Sequence, residues 1–153
     1  MSGLRAGVDL RGALPADATE IAALLSHPGA PVTPRQAAHR LEALANDPAS
    51  AILVATNWSG AVIGLVALSW SASPLSDRPV ARLTALTVAE EERGAGIGRL
   101  LVKAASQAAR QAGCDTLEAS APDPRFLAAI GFVREGDALA RPLRKRGTTD
   151  ETR

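Results

Sequence analysis

The chain has 153 residues, 46% of them hydrophobic, 22% charged and 3% aromatic, with a formal net charge of +1. That length suits one domain able to bury a core without disulfides or metal, and the near-neutral charge excludes a global basic field for nucleic acid. The single cysteine, Cys114, excludes an internal disulfide and a cysteine-based zinc site.

Taken from the N-terminus, Val8 to Arg11 reads as a short edge strand. Pro15 and Asp17 then signal a helix start. Ile21, Leu24 and Leu25 recur at helical spacing, and His27-Pro28-Gly29 stops the run. The next helix has Thr33 as N-cap and Pro34 at its first position. Ala37, Leu41 and Leu44 line one face, and Asn46-Asp47-Pro48 ends it. Ala51 to Thr56 and Ala61 to Trp70 read as a hairpin around the turn Asn57-Trp58-Ser59-Gly60. Ser71 to Pro79 is a loop, and Pro79 to Val88 a third long strand.

In that strand Leu83 and Ala85 share one face by alternation, but Leu86 and Val88 share the other. A period of two that slips by one residue predicts a β-bulge. Ile97, Leu100, Leu101, Ala104, Ala108 and Ala112 then mark an amphipathic helix stopped by Gly113. A short strand, Asp115 to Ser120, is broken by Pro122-Asp123-Pro124. Phe126 to Ile130 has room for one or two helical turns, and Gly131-Phe132-Val133 begins a return strand. Arg141, Arg144, Lys145 and Arg146 read as a solvated basic cluster near the C-terminus. Residues 1–146 are expected to form one domain and residues 147–153 a flexible tail.

Other chemistry is thinly represented. His27 and His39 make no metal-ligand spacing, so no metal is expected. Cys114, beside the helix stop, reads as a buried structural thiol. No apolar run approaches ~20 residues, and the N-terminus lacks a signal-peptide pattern, so the expectation is a cytoplasmic protein.

The most informative stretch is "EEERGAGIGRL", residues 90–100. A glycine-rich turn from strand to helix holds phosphate because backbone N–H groups and the helix dipole point at the ligand. A Walker loop needs Gly-Lys-Ser or Gly-Lys-Thr, which the chain lacks. A dinucleotide fingerprint needs G-x-G-x-x-G in a βαβ unit, whereas Gly94, Gly96 and Gly98 are spaced by two and two. What remains is R-x-x-G-x-G: Arg93, Gly96 and Gly98.

On this motif the sequence resembles the GNAT superfamily of acyl-CoA-dependent N-acyltransferases. The strong match is "LTVAEEERGAGIGRLLVKAASQAARQAG", residues 86–113, supported by Gly131-Phe132 and by "LRGALPADATEIAALL" near the start. The resemblance implies a single α/β (α+β) domain of order βααβββαβαββ. Its mixed sheet would have six to seven strands, splayed between the fourth and fifth and flanked by about four helices. It also implies acetyl-CoA as co-substrate, with its pyrophosphate on Arg93, Gly94, Ala95, Gly96, Ile97, Gly98 and Arg99. The pantetheine arm would pair with Leu86, Thr87 and Val88, and Phe126 would stand at the family's aromatic position. The implied reaction is direct transfer of an acetyl group to a primary amine, on a small molecule or a protein. A backbone N–H near Val88 would meet the oxyanion. Nucleic acid and membrane partners are not implied, and both monomer and homodimer fit the family.

One departure from the family pattern concerns the proton donor. Where many members carry Phe-Tyr, this chain has Phe126-Leu127, and it contains no tyrosine. Three readings stay open. The thiolate, with a pKa of ~8.5 for an ordinary thiol, leaves unassisted; another group such as Ser120 serves as acid; or the protein is an acyl-CoA-binding sensor with little turnover. For the base, Glu118 is the candidate on the strand beside the slot, against the simpler reading of a solvated strand-face carboxylate. Glu20 and His39 lie on the helices that cover the acceptor side in this family, and each reads more simply as a surface residue.

Overall fold

The computed structural model describes residues 7–119, 128, 132–135 and 138–143. Its elements are β1 (Asp9–Gly12), α1 (Ala18–Leu25), α2 (Pro34–Ala45), β2 (Ser50–Thr56), β3 (Val62–Ser71), β4 (Val80–Val88), α3 (Ile97–Gln111), β5 (Thr116–Ala119), β6 (Val133–Glu135) and β7 (Ala138–Pro142). They agree with the expected order up to the stretch predicted as a fourth helix. That stretch lies almost wholly outside the described residues, as do Ser120, Phe126, Leu127 and the tail from residue 147.

Local chemistry sets the helix ends. Thr33 Oγ1 accepts from the Gln36 N–H at 3.1 Å while the Thr33 N–H donates to Gln36 Oε1 at 2.9 Å, with Pro34 at the first helical position. This reciprocal box satisfies two otherwise orphaned donors. Asp17 closes the 3-10 turn Pro15–Asp17 that leads into α1. Its two oxygens accept from Arg11 Nη1 and Nη2 at 2.8 and 3.0 Å, and one also accepts from the Leu14 N–H at 2.7 Å. Arg11 holds the buried Asp17 carboxyl below the usual range, against the opposing push of burial and with help from the Leu14 N–H.

The seven strands form one sheet in the order β1-β2-β3-β4-β5-β7-β6. All pairings are antiparallel except β4 with β5. Alternation along β2 sends Leu53 and Ala55 to one face and Ile52 and Val54 to the other. The first face packs against α3, whose Leu101, Val102 and Ala105 are wholly buried. Burying a side chain such as Leu101 stabilises the fold by about 2 kcal/mol. The second face packs against α1 and α2 through Ile21, Ala37 and Leu41.

The predicted bulge is present. The β3–β4 register steps from Ala67↔Ala85 to Leu68↔Leu83, leaving Thr84 as the extra residue. The step keeps Leu86 and Val88 on the α3 face with Ala81 and Leu83, and Ala85 on the α1–α2 face. An unbroken alternation would have turned Leu86 and Val88 away from that core.

Two expectations about the C-terminal half divide. Cys114 is buried, and burial followed by the nearby Asp115 charge pushes its thiol up, as suits a structural thiol. Arg141, in contrast, is not part of a solvated tail. It lies in β7 opposite Leu117 and is half-buried, and its pKa is lowered first by desolvation and then by Arg110 and Arg99. Pairing with β5 draws it into the sheet, which a count of basic residues does not reveal.

Candidate functional site

Among the described residues, the strand pair β4–β5 is joined at Ala81↔Leu117 and Arg82↔Glu118 alone. Beyond Arg82, β4 continues for six residues through the bulge to Val88 without a partner on that side among the described residues. Among the described residues the Arg82–Glu118 rung is therefore the last between these strands, and it stands at the vertex of a slot along the free edge of β4.

The direction of the β4 backbone at this slot follows from the ladder. The Ala89 N–H donates to the Ile63 carbonyl at 2.8 Å, which fixes 63–89 as a hydrogen-bonded pair. Antiparallel pairs alternate between bonded and non-bonded. Gly64↔Val88 and Val66↔Leu86 are therefore non-bonded, and the N–H and C=O groups of Leu86 and Val88 point away from β3 into the slot. Thr87, pairing with Leu65, turns its backbone N–H and C=O to β3. The Val88 carbonyl is already engaged, accepting from Arg93 Nε at 3.4 Å.

Above the slot, the 3-10 turn Glu90–Glu92 leads to the glycine loop. Gly96 is the N-cap of α3 with φ 86°, and Gly94 has φ 82°. An L side chain at either position is strained, which explains the glycine spacing. The N–H groups of Gly94, Gly96, Ile97, Gly98 and Arg99 donate to no protein acceptor among the described residues, and the first bond into the helix is Leu100 N–H to the Gly96 carbonyl at 3.2 Å. Left-handed Gly96 followed by helical Ile97 makes a concavity of donors. The helix dipole adds about half a positive charge there. Such an end suits an anion.

This helix end is seated against the sheet by Gly64 in β3. A Cβ on Gly64 would lie 2.9 Å from Leu101 Cδ1 and 3.2 Å from Ile97 Cγ2. The sequence carries a usable sign of this, since an isolated glycine within an apolar strand marks a close approach. It carries none for Arg82, whose importance depends on a partner 36 residues away.

Of the remaining candidates, Glu118 stands at the vertex. Its Oε1 accepts from Arg82 Nη2 at 2.9 Å and from Nε at 3.3 Å. Ala81 and Leu117 face α3, so Arg82 and Glu118 project from the opposite face, the one that carries α1 and α2. Glu20 is engaged elsewhere, its Oε2 accepting from the Val62 N–H at 2.9 Å where β3 is bulged against β2. His39 is exposed on α2 beside Arg35, Gln36 and Arg40, on the side turned from the buried Ala37 and Leu41. Ser120 and Phe126 fall outside the described residues. Among the described residues, no group of three or more His, Cys, Asp or Glu is placed to hold a metal ion, and no helix is long and apolar enough to cross a membrane.

Comparison with known proteins agrees with this arrangement. The structure is similar to a GNAT family N-acetyltransferase, YhbS, from Escherichia coli, solved in complex with CoA. The two share 25% identity over 94% of this chain and 86% of that one, with a TM-score of 0.70. It is also similar to a transcriptional regulator from Bacillus halodurans (21% identity, 84% of this chain and 96% of that one, TM-score 0.75). A third similar structure is the glucosamine-6-phosphate N-acetyltransferase of Arabidopsis thaliana (16% identity, 84% of this chain and 92% of that one, TM-score 0.72). These last two are likenesses of fold alone. No curated protein matches the chain. The family profile described as "Acetyltransferase (GNAT) family" matches residues 18–136, and with the bulged, splayed sheet and the glycine loop in place, the chain belongs to the GNAT acetyltransferase family.

Proposed function

We propose that the protein transfers an acetyl group from acetyl-CoA to a primary amine by direct attack within a ternary complex. The observation that carries this reading is the set of unpartnered N–H groups of Gly94 and of Gly96 to Arg99, continuous with the open β4 edge at Leu86 and Val88. A pyrophosphate suits the first and an amide-bearing pantetheine arm the second. Arg99, exposed in the first turn of α3, adds charge at the phosphate end.

Leu86 and Val88 each offer an N–H toward the slot, and Val88 is the reading's oxyanion donor. The acceptor ammonium gives a proton to Glu118 Oε2 or to water. The freed amine forms a C–N bond at the thioester carbon, its nitrogen gives a second proton to water, and the tetrahedral oxyanion collapses to the amide with loss of the C–S bond. The thiolate leaves and is protonated from solvent, or from a group such as Ser120. With no tyrosine in the chain, unassisted departure is the simpler route for a group of pKa ~8.5. Cys114, buried with its thiol pKa raised, takes no part.

The test is release of free thiol from acetyl-CoA in the presence of a panel of small amines and lysine peptides, together with calorimetry. Release above the amine-free background is expected for at least one acceptor. Tight acetyl-CoA binding with no release for any amine would favour a sensor. Silence toward CoA would overturn the reading altogether.

A further inference from the structure

The ion pairs Arg11–Asp17 and Arg82–Glu118 differ in a way that bears on the acceptor. Arg11–Asp17 is closed: two guanidinium nitrogens meet two carboxylate oxygens, a backbone N–H adds a third bond, and Asp17 is buried. Arg82–Glu118 is open. Both of its hydrogen bonds end on Oε1, leaving Glu118 Oε2 and Arg82 Nη1 without a partner among the described residues. The side chains remain 60% and 27% exposed for Arg82 and Glu118. A pair built only to fasten strands gains most from the two-pronged geometry, which is worth more than contacts to one oxygen. Here the remaining valences face outward instead.

The position of the pair adds meaning to its open valences. It is the last rung before β4 and β5 separate, two residues before the bulged Thr84. Its side chains leave the sheet on the α1–α2 face, opposite α3. A donor whose phosphates sit at the α3 N-terminus and whose arm follows β4 presents its acyl group in the slot. The α3 face is filled by the helix, so an acceptor must approach from the other side. There it meets a carboxylate oxygen and a guanidinium edge side by side.

We propose that Arg82 and Glu118 together form the acceptor subsite, and that the acceptor class is an amine with a carboxylate on the neighbouring carbon, as in a free α-amino acid. The ammonium donates to Glu118 Oε2, and the carboxylate accepts from Arg82 Nη1. This rests on the acetyl-transfer reading and deepens it. Arg82 is a specificity residue. A site that pairs a charged acceptor group discriminates strongly against analogues lacking it, because the protein charge is then left without its partner.

The experiment measures thiol release from acetyl-CoA with L-leucine, L-leucinamide and isoamylamine, and likewise with the phenylalanine series. The native protein is expected to prefer the free amino acid over the decarboxylated amine by about tenfold or more in kcat/KM, mainly through KM, equivalent to ~1.4 kcal/mol. In Arg82→Gln the preference should fall to about twofold or less, and Arg82→Lys should restore part of it. Circular dichroism and CoA affinity report whether the variants remain folded. Turnover without preference for the carboxylate, or a preference that survives Arg82→Gln in a folded variant, overturns the subsite alone. No turnover with any amine overturns the acetyl-transfer reading, and the subsite with it.

Discussion

The two sides of the sheet present polar groups of different kinds. On the α3 side the polar groups are backbone: the N–H groups of Gly94 and of Gly96 to Arg99 at a helix start, and the open edge of β4. On the α1–α2 side they are side chains, with Arg82 and Glu118 held at the vertex of the slot. Backbone donors need only glycine at the turns that orient them, so many sequences can build them. Side-chain donors must be of the right kind and in the right place, which is how one fold serves different acceptors.

The contrast can be broken most severely at the loop. Gly96→Trp places a bulky side chain at φ 86° among the free donors. CoA affinity should fall by about 100-fold or more, ~2.7 kcal/mol, in isothermal calorimetry. The far-UV spectrum should be retained. Unchanged affinity would show that these N–H groups are not the phosphate site.

A milder blow falls on the helix that carries them. Gly64→Ala sets a methyl 2.9 Å from Leu101 Cδ1 and 3.2 Å from Ile97 Cγ2, with the Thr87 carbonyl 3.4 Å away. Overpacking of this kind costs about 1–3 kcal/mol in denaturant unfolding. CoA affinity should also drop, by up to about tenfold, as the first turn of α3 shifts. A stability loss with no change in affinity would separate the seating of α3 from donor binding.

The smallest effect comes from the other side of the sheet. Asp17→Asn weakens the clamp between β1 and the start of α1. Arg11 is partly exposed and screened, so the expected loss at pH 7 is about 1–2 kcal/mol. Because the folded-state pKa of Asp17 is depressed, its contribution is full above the unfolded value of ~3.9 and fades as pH falls through the lower folded value. The gap between native protein and variant should therefore narrow below about pH 4. A gap that is constant down to pH 2 would mean the carboxylate charge is not what stabilises the clamp. CoA affinity should be unaffected, which would mark the two sides as separable.

Much of the donor side was legible in the sequence. The spacing of Gly94, Gly96 and Gly98, the apolar stripe of α3 and the slip between Leu83 and Leu86 each follow from local backbone rules. Gly64 was available as a signal too, though its partners on α3 were not. On the α1–α2 side, Glu118 could be named but not aimed, and Arg82 could not be singled out, because their pairing joins residues far apart in the chain. Arg141 misled for the same reason, since its burial is conferred by β5.

The sequence by itself thus determined α1, α2 and α3, the bulge and a glycine-rich loop at the start of α3. Each depends on interactions between residues close along the chain, where propensity and period suffice. Only the tertiary structure decided that, among the described residues, β4 and β5 pair no further than Arg82, that Leu86 and Val88 aim their backbone polar groups away from β3, and that Glu118 is tied to Arg82. Strand register brings residues tens of positions apart to within 3 Å, and a shift of one residue would send every one of these groups to the other face.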